Sequence, residues 1–364
     1  MRRALELAAR ARGLTSPNPM VGAVVVSDGR VVGEGYHRHA GAPHAEIEAL
    51  AAAGAAARGA TLYVTLEPCN HHGRTPPCAP AVAASGVARV VCAIADPNPF
   101  VAGGGAPTLR AAGLEVVTGV LAAEAAALNR VFLTAVGERR PHVLLKAAAT
   151  LDGKIADLHG ASRWITGEAA RRHAHRLRSE VDAIVVGVGT ALRDDPALTV
   201  RLDAPWPREP LRVVLDVAAR TPATARLITA GTAARALIAI GEGAPAPRVA
   251  ALREAGATVV SCPAADGRVD PAAALRALFE RDVRAVLLEG GGEVHASFLA
   301  AGLVDRVAIF LAPVLLGGRA APSVLAGEGL PLKSAARLGP LAVTRVGDDL
   351  LVEADVLRLT GEGA

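Results

Sequence analysis

The sequence predicts two α/β domains in tandem, and three observations carry that prediction. A chain of 364 residues is longer than one hydrophobic core ordinarily supports. Short β-branched or near-continuous apolar runs alternate with helical stretches along its whole length, the pattern of mostly parallel sheets covered by helices. Between two such series lies Gly137-Glu138-Arg139-Arg140-Pro141, polar and proline-stopped. We therefore expect domains of residues 1–138 and 139–364.

In the first domain, Met1 to Leu7 is amphipathic. Glu6 and Arg10 break its apolar run, so a first helix is expected there rather than a signal peptide. Val21 to Val26 is β-branched, Asp28-Gly29 is a hairpin turn, and Val31-Val32-Gly33 returns. A helix starts at His44, with Pro43 suited to its first position. Thr61 to Leu66 is a strand, a helix runs from Cys78 to near Gly86, and Arg89 to Ala95 is a buried strand. A further helix, the strand Leu114 to Thr118 and one helix from Leu121 to Val136 complete a three-layer α/β/α domain.

The second domain restarts the alternation. Strands are expected at Val143–Lys146, Ala183–Val186, Leu211–Leu215, Ala236–Ile240, Ala257–Val260 and Ala285–Leu288, with a helix at Glu168–Ser179 and others between. Val307–Leu315 is a long strand, and the C-terminal hairpin turns at Gly347-Asp348-Asp349.

Composition narrows the function. A net charge of +4 over this length is no nucleic-acid footprint, and 2% aromatics leave few stacking platforms for single strands. No apolar run reaches membrane-spanning length. Four cysteines make no disulfide framework, which fits a reducing, cytoplasmic setting.

The first domain carries a metal pattern. Pro43-His44-Ala45-Glu46 is answered by Glu67-Pro68-Cys69 and then Cys78. One imidazole and two thiols suit Zn²⁺, and three protein ligands leave a position open for water, as in catalytic sites. Zinc lowers the pKa of that water to about 7, and Glu46 is the group placed to carry its proton. Residues two apart on a helix diverge by about 200°, so His44 and Glu46 converge only at a helix tip. Cys69 and Cys78 each follow proline and are expected at helix N-termini, which favour the thiolate. His-x-Glu with Pro-Cys is the zinc-deaminase signature, although eight residues rather than two separate these cysteines.

In the second domain, Glu289-Gly290-Gly291-Gly292-Glu293 links a strand to a helix and forms a candidate phosphate cradle. The dinucleotide fingerprint fails, because His295 stands where its third glycine would be. Only three of 39 basic residues are lysine, and Lys146 and Lys154 share one stretch. Lys146, at a strand end, is a candidate point charge.

Ser16-Pro17-Asn18-Pro19, Gly35-Tyr36-His37, Glu67 to Cys78, Lys146–Lys154, Ser162–Thr166 and Glu289–Ser297 together resemble the bifunctional deaminase–reductases of riboflavin biosynthesis. The resemblance covers essentially the whole chain. It implies a cytidine-deaminase-like first domain and a dihydrofolate-reductase-like second domain that binds NADPH. In the first domain it puts Asn18, His37 and Arg74 against the substrate. In the second it puts Ser162, Arg178, Leu198, Arg201 and Glu289 there. NADPH would meet Ala148, Trp164, Thr190, Asp194 and the loop Gly291, Gly292, Glu293, Val294, His295, Ala296 and Ser297. Val217 departs from the serine usual in the family. The implied reactions are zinc-dependent deamination of 2,5-diamino-6-ribosylamino-4(3H)-pyrimidinone 5′-phosphate and then reduction of its ribosyl group. Arg178 and Arg201 would clamp the phosphate, with Asp194 and Lys146 catalytic. The expected partner is this small phosphorylated pyrimidine, with neither nucleic acid nor membrane, in a homo-oligomer. Two rivals differ in class: a nucleic-acid base deaminase, and a non-catalytic protein whose zinc is closed by His71 or His72.

Overall fold

The computed structural model describes residues 1–73, 75–98, 104–231 and 235–357. The chain forms two compact units, Met1–Arg140 and Pro141–Ala364.

The first unit holds a five-stranded sheet. Its strands are β1 (Gly22–Ser27), β2 (Arg30–Tyr36), β3 (Thr61–Leu66), β4 (Arg89–Ile94) and β5 (Glu115–Thr118), in the order β2-β1-β3-β4-β5. β1 pairs antiparallel with both β2 and β3, whereas β3, β4 and β5 run parallel. The β1–β2 turn has positive φ at both Asp28 and Gly29, as a tight hairpin requires.

Helices α1 (Arg2–Ala9) and α2 (Ala45–Ala53) lie on opposite faces of the β1–β2 ribbon. α1 packs Ala4 and Leu7 on Val24, and α2 packs Ala45, Ala49 and Ala53 beside Ala23 and Val25. Glycines allow this approach. A Cβ at Gly22 would strike the α1 backbone, and one at Gly35 would sit 2.5 Å from the carbonyl oxygen of Ala45 in α2. α3 (Cys78–Ala84) and α4 (Gly105–Ala111) follow β3 and β4. The single helix expected over Leu121–Val136 is two, α5 (Ala122–Leu128) and α6 (Arg130–Glu138). Asn129 separates them with non-helical backbone angles (φ −101°, ψ 20°), and its side-chain amide is tied to Met20, accepting from its N–H (2.8 Å) and donating to its carbonyl (2.9 Å).

The second unit's ten-stranded sheet is built from β6 (His142–Thr150), β7 (Ala183–Gly187), β8 (Leu211–Leu215), β9 (Ala236–Gly241) and β10 (Thr258–Cys262). After a small hairpin, β11 (Ala264–Ala265) and β12 (Arg268–Val269), the sheet gains β13 (Ala285–Gly290), β14 (Arg306–Ala312), β15 (Arg337–Leu338), β16 (Ala342–Val346) and β17 (Asp349–Leu357). The order β10-β9-β8-β7-β13-β6-β14 is parallel throughout, and β17 then adds antiparallel with β15 and β16 on it. β14 stops at Ala312 rather than Leu315, because Pro313 has no N–H for a ladder. The helices are α7 (Glu168–Ser179), α8 (Val188–Asp194), α9 (Arg226–Thr229), α10 (Ala246–Glu254), α11 (Pro271–Phe279) and α12 (Gly292–Ala300). Leu145, Val185, Val213, Leu275, Leu288 and Phe298 anchor the core beneath the sheet. Among the described residues, no helix is long and apolar enough to cross a membrane.

Candidate active site

In the first unit, His44 is the residue before α2, with extended backbone (φ −75°, ψ 159°), and Glu46 lies in the first turn. Pro43 therefore precedes the cap instead of opening the helix. Cys78 is the first residue of α3. Cys69 lies in irregular chain after β3, so the expectation of a helix N-terminus holds for one thiol only. Its thiolate instead receives the backbone N–H of Cys78 at 3.4 Å.

The three side chains meet. His44 Nδ1 is 3.1 Å from Cys78 Sγ and 3.5 Å from Cys69 Sγ, and all three donor atoms lie within 4.8 Å of one another. A tetrahedral zinc with Zn–S of about 2.3 Å and Zn–N of about 2.0 Å has edges of roughly 3.5–3.8 Å, so the donor set fits one ion. His44 Nε2 faces Thr75 Oγ1 at 3.0 Å. A proton on Nε2, donated to that hydroxyl, leaves the Nδ1 lone pair toward the thiols. Among the described residues no fourth His, Cys, Asp or Glu joins the cluster, and neither His71 nor His72 does.

The electrostatics divide the roles. Cys69 is pulled down to about 4, first by hydrogen bonding from Cys78 and then by His44. Cys78 is pushed up by the Cys69 thiolate and by burial, so the metal-free pair holds one negative charge, on Cys69. His44 is raised by its hydrogen bond to Cys69. Glu46 is 3% exposed, and burial raises its carboxyl to about 7. Its hydrogen-bonding neighbour is Cys78, which puts an ionisable carboxyl against the His44–Cys69–Cys78 cluster.

Asn18 and His37 lie beside this centre. His37 is buried, its Nδ1 3.1 Å from the Pro43 carbonyl and its Nε2 3.0 Å from Asn18 Nδ2. Nδ1 must donate to the carbonyl, so Nε2 accepts from Asn18 and the ring is neutral. Burial lowers its pKa accordingly. The ring stands edge-on to His44 at 5.3 Å. Arg74 lies outside the described residues.

In the second unit a cavity of about 380 Å³ opens at the ends of β7 and β13 and beside the middle of β6, which runs on to Thr150, so Lys146 lies within the strand and not at its end. Lys146, Ala148, Ser162, Trp164, Arg178, Thr190, Asp194, Leu198, Arg201, Glu289, Gly291 and His295 all line it. Glu289 is gripped by Arg178 through two bonds, Nε–Oε1 at 2.7 Å and Nη2–Oε2 at 2.8 Å, and Arg178 Nη1 donates to the Thr199 carbonyl at 3.0 Å. Burial alone would raise Glu289, but Arg178 and Lys146 outweigh it and hold the carboxyl at about 2. Burial lowers Lys146, an effect that Glu289 opposes. Leu198 is buried with φ of 50°, a left-handed conformation costly for leucine and of the kind that clusters at ligand sites. Trp164 stands exposed at the rim, with Arg171 over its ring at 4.6 Å.

Comparison with known proteins follows the same division. Residues 1–94 match the cytidine and deoxycytidylate deaminase zinc-binding region, and residues 141–352 match the RibD C-terminal domain. The riboflavin biosynthesis protein RibD of Aquifex aeolicus is 42% identical, with 100% of this chain and 95% of that protein aligned. The chain belongs to the RibD family. RibD of Bacillus amyloliquefaciens is 44% identical over 97% of this chain and 95% of its own length. Among solved structures, Acinetobacter baumannii RibD superposes with a TM-score of 0.88 at 37% identity, covering 98% of each chain. The Thermotoga maritima diaminohydroxyphosphoribosylaminopyrimidine deaminase/5-amino-6-(5-phosphoribosylamino)uracil reductase gives 0.84 at 38% identity, over 98% of this chain and 97% of that one.

Arg178 spends three of its five N–H groups on Glu289 and Thr199 and still lines the cavity. One expectation for the second site needs correction. The stretch Gly291–Ser297 is not a loop, because α12 begins at Gly292. Helical geometry sends only Gly291 and His295, four apart, to the cavity. Gly292 is buried against Ser323 and Ala326. Glu293 pairs with Arg268 at 2.7 Å, Val294 packs on Gly187, and Ser297 Oγ bonds back to the Val294 carbonyl at 2.9 Å. Ala296 is half-buried on the same helix and does not line the cavity. Sequence reasoning also missed residues that hold the RibD sites in place. Thr75 on His44 is one. Glu67, which accepts N–H groups from Ala106 (2.7 Å) and Asp96 (3.3 Å), is another. A lone acid ending an apolar strand was the available signal for Glu67.

Proposed function

We propose that the first unit deaminates 2,5-diamino-6-ribosylamino-4(3H)-pyrimidinone 5′-phosphate and that the second reduces the ribosyl group of the product with NADPH. The observation that carries the first half is the three-donor cluster His44, Cys69 and Cys78 with Glu46 buried beside it. Zinc, when bound, supplies an activated water at neutral pH. Glu46 takes the proton from that water and delivers it to the departing amine, a role that suits a carboxyl poised near 7. His37, with both ring nitrogens spent, holds the Asn18 amide, whose Oδ1 and second N–H remain for the pyrimidine.

For the second half, a nicotinamide cofactor supplies hydride. The chain's part is to orient the sugar and place charge. Lys146 would stabilise negative charge at the reacting sugar, Asp194 would face both cofactor and ribose, and Trp164, Thr190, Gly291 and His295, which line the same cavity, would hold the cofactor. We assign the whole chain to the cytoplasm and to a small-molecule pathway without nucleic acid.

Incubation of the full chain with the diaminopyrimidinone phosphate, with and without NADPH, tests this reading by mass spectrometry. Replacement of one amino group by oxygen is expected without NADPH, and a further gain of two hydrogens with it. An unchanged mass in both arms sinks the proposal.

Two further outcomes are expected. Cys78→Ser should lose zinc and deamination together by metal analysis and ammonia release, because two ligands hold zinc far more weakly than three. Arg201→Ala should raise the KM for the deaminated pyrimidine about tenfold or more, since it removes a charge-assisted contact. Asp194→Asn should act mainly on kcat, read from NADPH oxidation. Wild-type reduction in both variants would place the site elsewhere.

A further inference from the structure

Arg178 commits three of its five N–H groups to Glu289 and Thr199, and an arginine that no sequence pattern singled out lines the same cavity. Arg226 opens α9. Its backbone N–H donates to Asp195 Oδ1 at 2.8 Å, which ties it to the chain just after α8. Its side chain lines the same cavity as Arg201, Ser162 and Leu198. Among the described residues neither Arg226 nor Arg201 is paired with a carboxylate. Arg201 is instead steadied by neutral His175, its Nε–H donating to His175 Nε2 at 3.3 Å. Arg201 is lowered by burial and then by the positive charges of Arg178 and Arg226, which line the cavity with it. Seven cationic side chains and two carboxylates line this one cavity. A folded chain that gathers cations without counter-charge is completed by an anion.

We propose that Arg226 and Arg201 together form the clamp for the 5′-phosphate of the pyrimidine, with Arg226 the residue that makes the reductase site select a phosphate ester. This rests on the reading of the second unit as a reductase. The cofactor's phosphates are the competing anions; the charge of Arg226 is felt at Arg201, a substrate-side residue in this reading, which favours the substrate.

Calorimetry on the full zinc-loaded chain with the deaminated pyrimidine 5′-phosphate, without nicotinamide, reads the clamp without turnover. Arg226→Gln should weaken binding about 10- to 100-fold, as expected for loss of a charge-assisted contact, and Arg226→Lys should recover part of it. The dephosphorylated pyrimidine should bind both proteins equally weakly. The KM for NADPH should stay within about twofold, which also reports that the second unit is folded. Equal affinity of Arg226→Gln and wild type for the phosphate ester overturns the assignment alone. A raised KM for NADPH but not for NADH moves Arg226 to the cofactor's 2′-phosphate and overturns it too. Failure of wild type to bind the ester, with NADPH still bound, overturns both the clamp and the proposed substrate.

Discussion

Glu46→Gln is expected to cut deamination by about 10²- to 10⁴-fold while zinc stays bound and reduction of the deaminated pyrimidine continues. Glutamine fills the same volume, so Ala45 and Cys78 keep their packing, but it neither takes nor gives the proton. The metal donors are His44, Cys69 and Cys78, and none is altered. A second, opposite effect is expected in the metal-free chain. Burial raises the folded-state pKa of Glu46 from 4.5 to about 7, so the folded chain prefers the protonated acid. As pH rises from about 4.5 toward 7 the unfolded chain releases this proton first, and stability falls. At pH 8 the penalty is roughly 3 kcal/mol, and Glu46→Gln removes it. Melting of chelator-treated protein should therefore show the variant more stable than wild type at pH 8 and nearly equal to it at pH 4. Full deaminase activity in the variant, measured as ammonia release, would remove Glu46 from the mechanism.

Glu289→Gln should destabilise the second unit by about 3–5 kcal/mol, the usual result of breaking one side of a buried ion pair. The Arg178 and Glu289 side chains are 14% and 9% exposed, so the abandoned guanidinium has little water to turn to. For a unit of this size that amounts to a fall in melting temperature of about 10 °C. Lys146 loses the carboxylate that supports its charge, and NADPH oxidation should stop. Arg178→Met combined with Glu289→Leu should regain much of the stability and none of the reduction, since apolar replacement of a buried pair is often neutral or better. The pair also sets an acid limit. Glu289 is depressed from 4.5 to about 2, so its contribution is complete above pH 4.5 and is lost as pH falls toward 2. Wild-type melting in Glu289→Gln would show that the pair is not structural.

What the sequence revealed, and what it hid, follows from the range of the forces involved. Thr61–Leu66, Glu168–Ser179 and Leu211–Leu215 are strands and a helix at the residues expected, because each is fixed by its own periodicity. The metal cluster was legible because zinc demands a few side-chain types, and local motifs supply them. The tie at the Asn129 break was not, since the Asn129 amide bonds to Met20, 109 residues away. That Glu289 pins Arg178 was not legible either, because the two lie 111 residues apart. The glycines after Glu289 were legible as the link from a strand to a helix, whereas the cofactor loop Gly291–Ser297 was implied by the resemblance alone. Arg226 had no local signal, being one arginine in a chain where arginine is the default cation.

The bare seam between the β1–β2 ribbon and α2 has a consequence for how this enzyme tolerates mutation. Gly35 carries no functional atom, yet a methyl group there would press on the Ala45 carbonyl at 2.5 Å and the Ala49 amide at 2.6 Å, on either side of the turn that holds Glu46. Relief would come from sliding α2, and with it the imidazole and carboxylate at its tip, by a fraction of an ångström or more. Rate falls steeply with such misplacement. A saturation screen for deamination should thus rank Gly35 with the residues that touch the metal, and a variant library for altered substrates should leave it fixed.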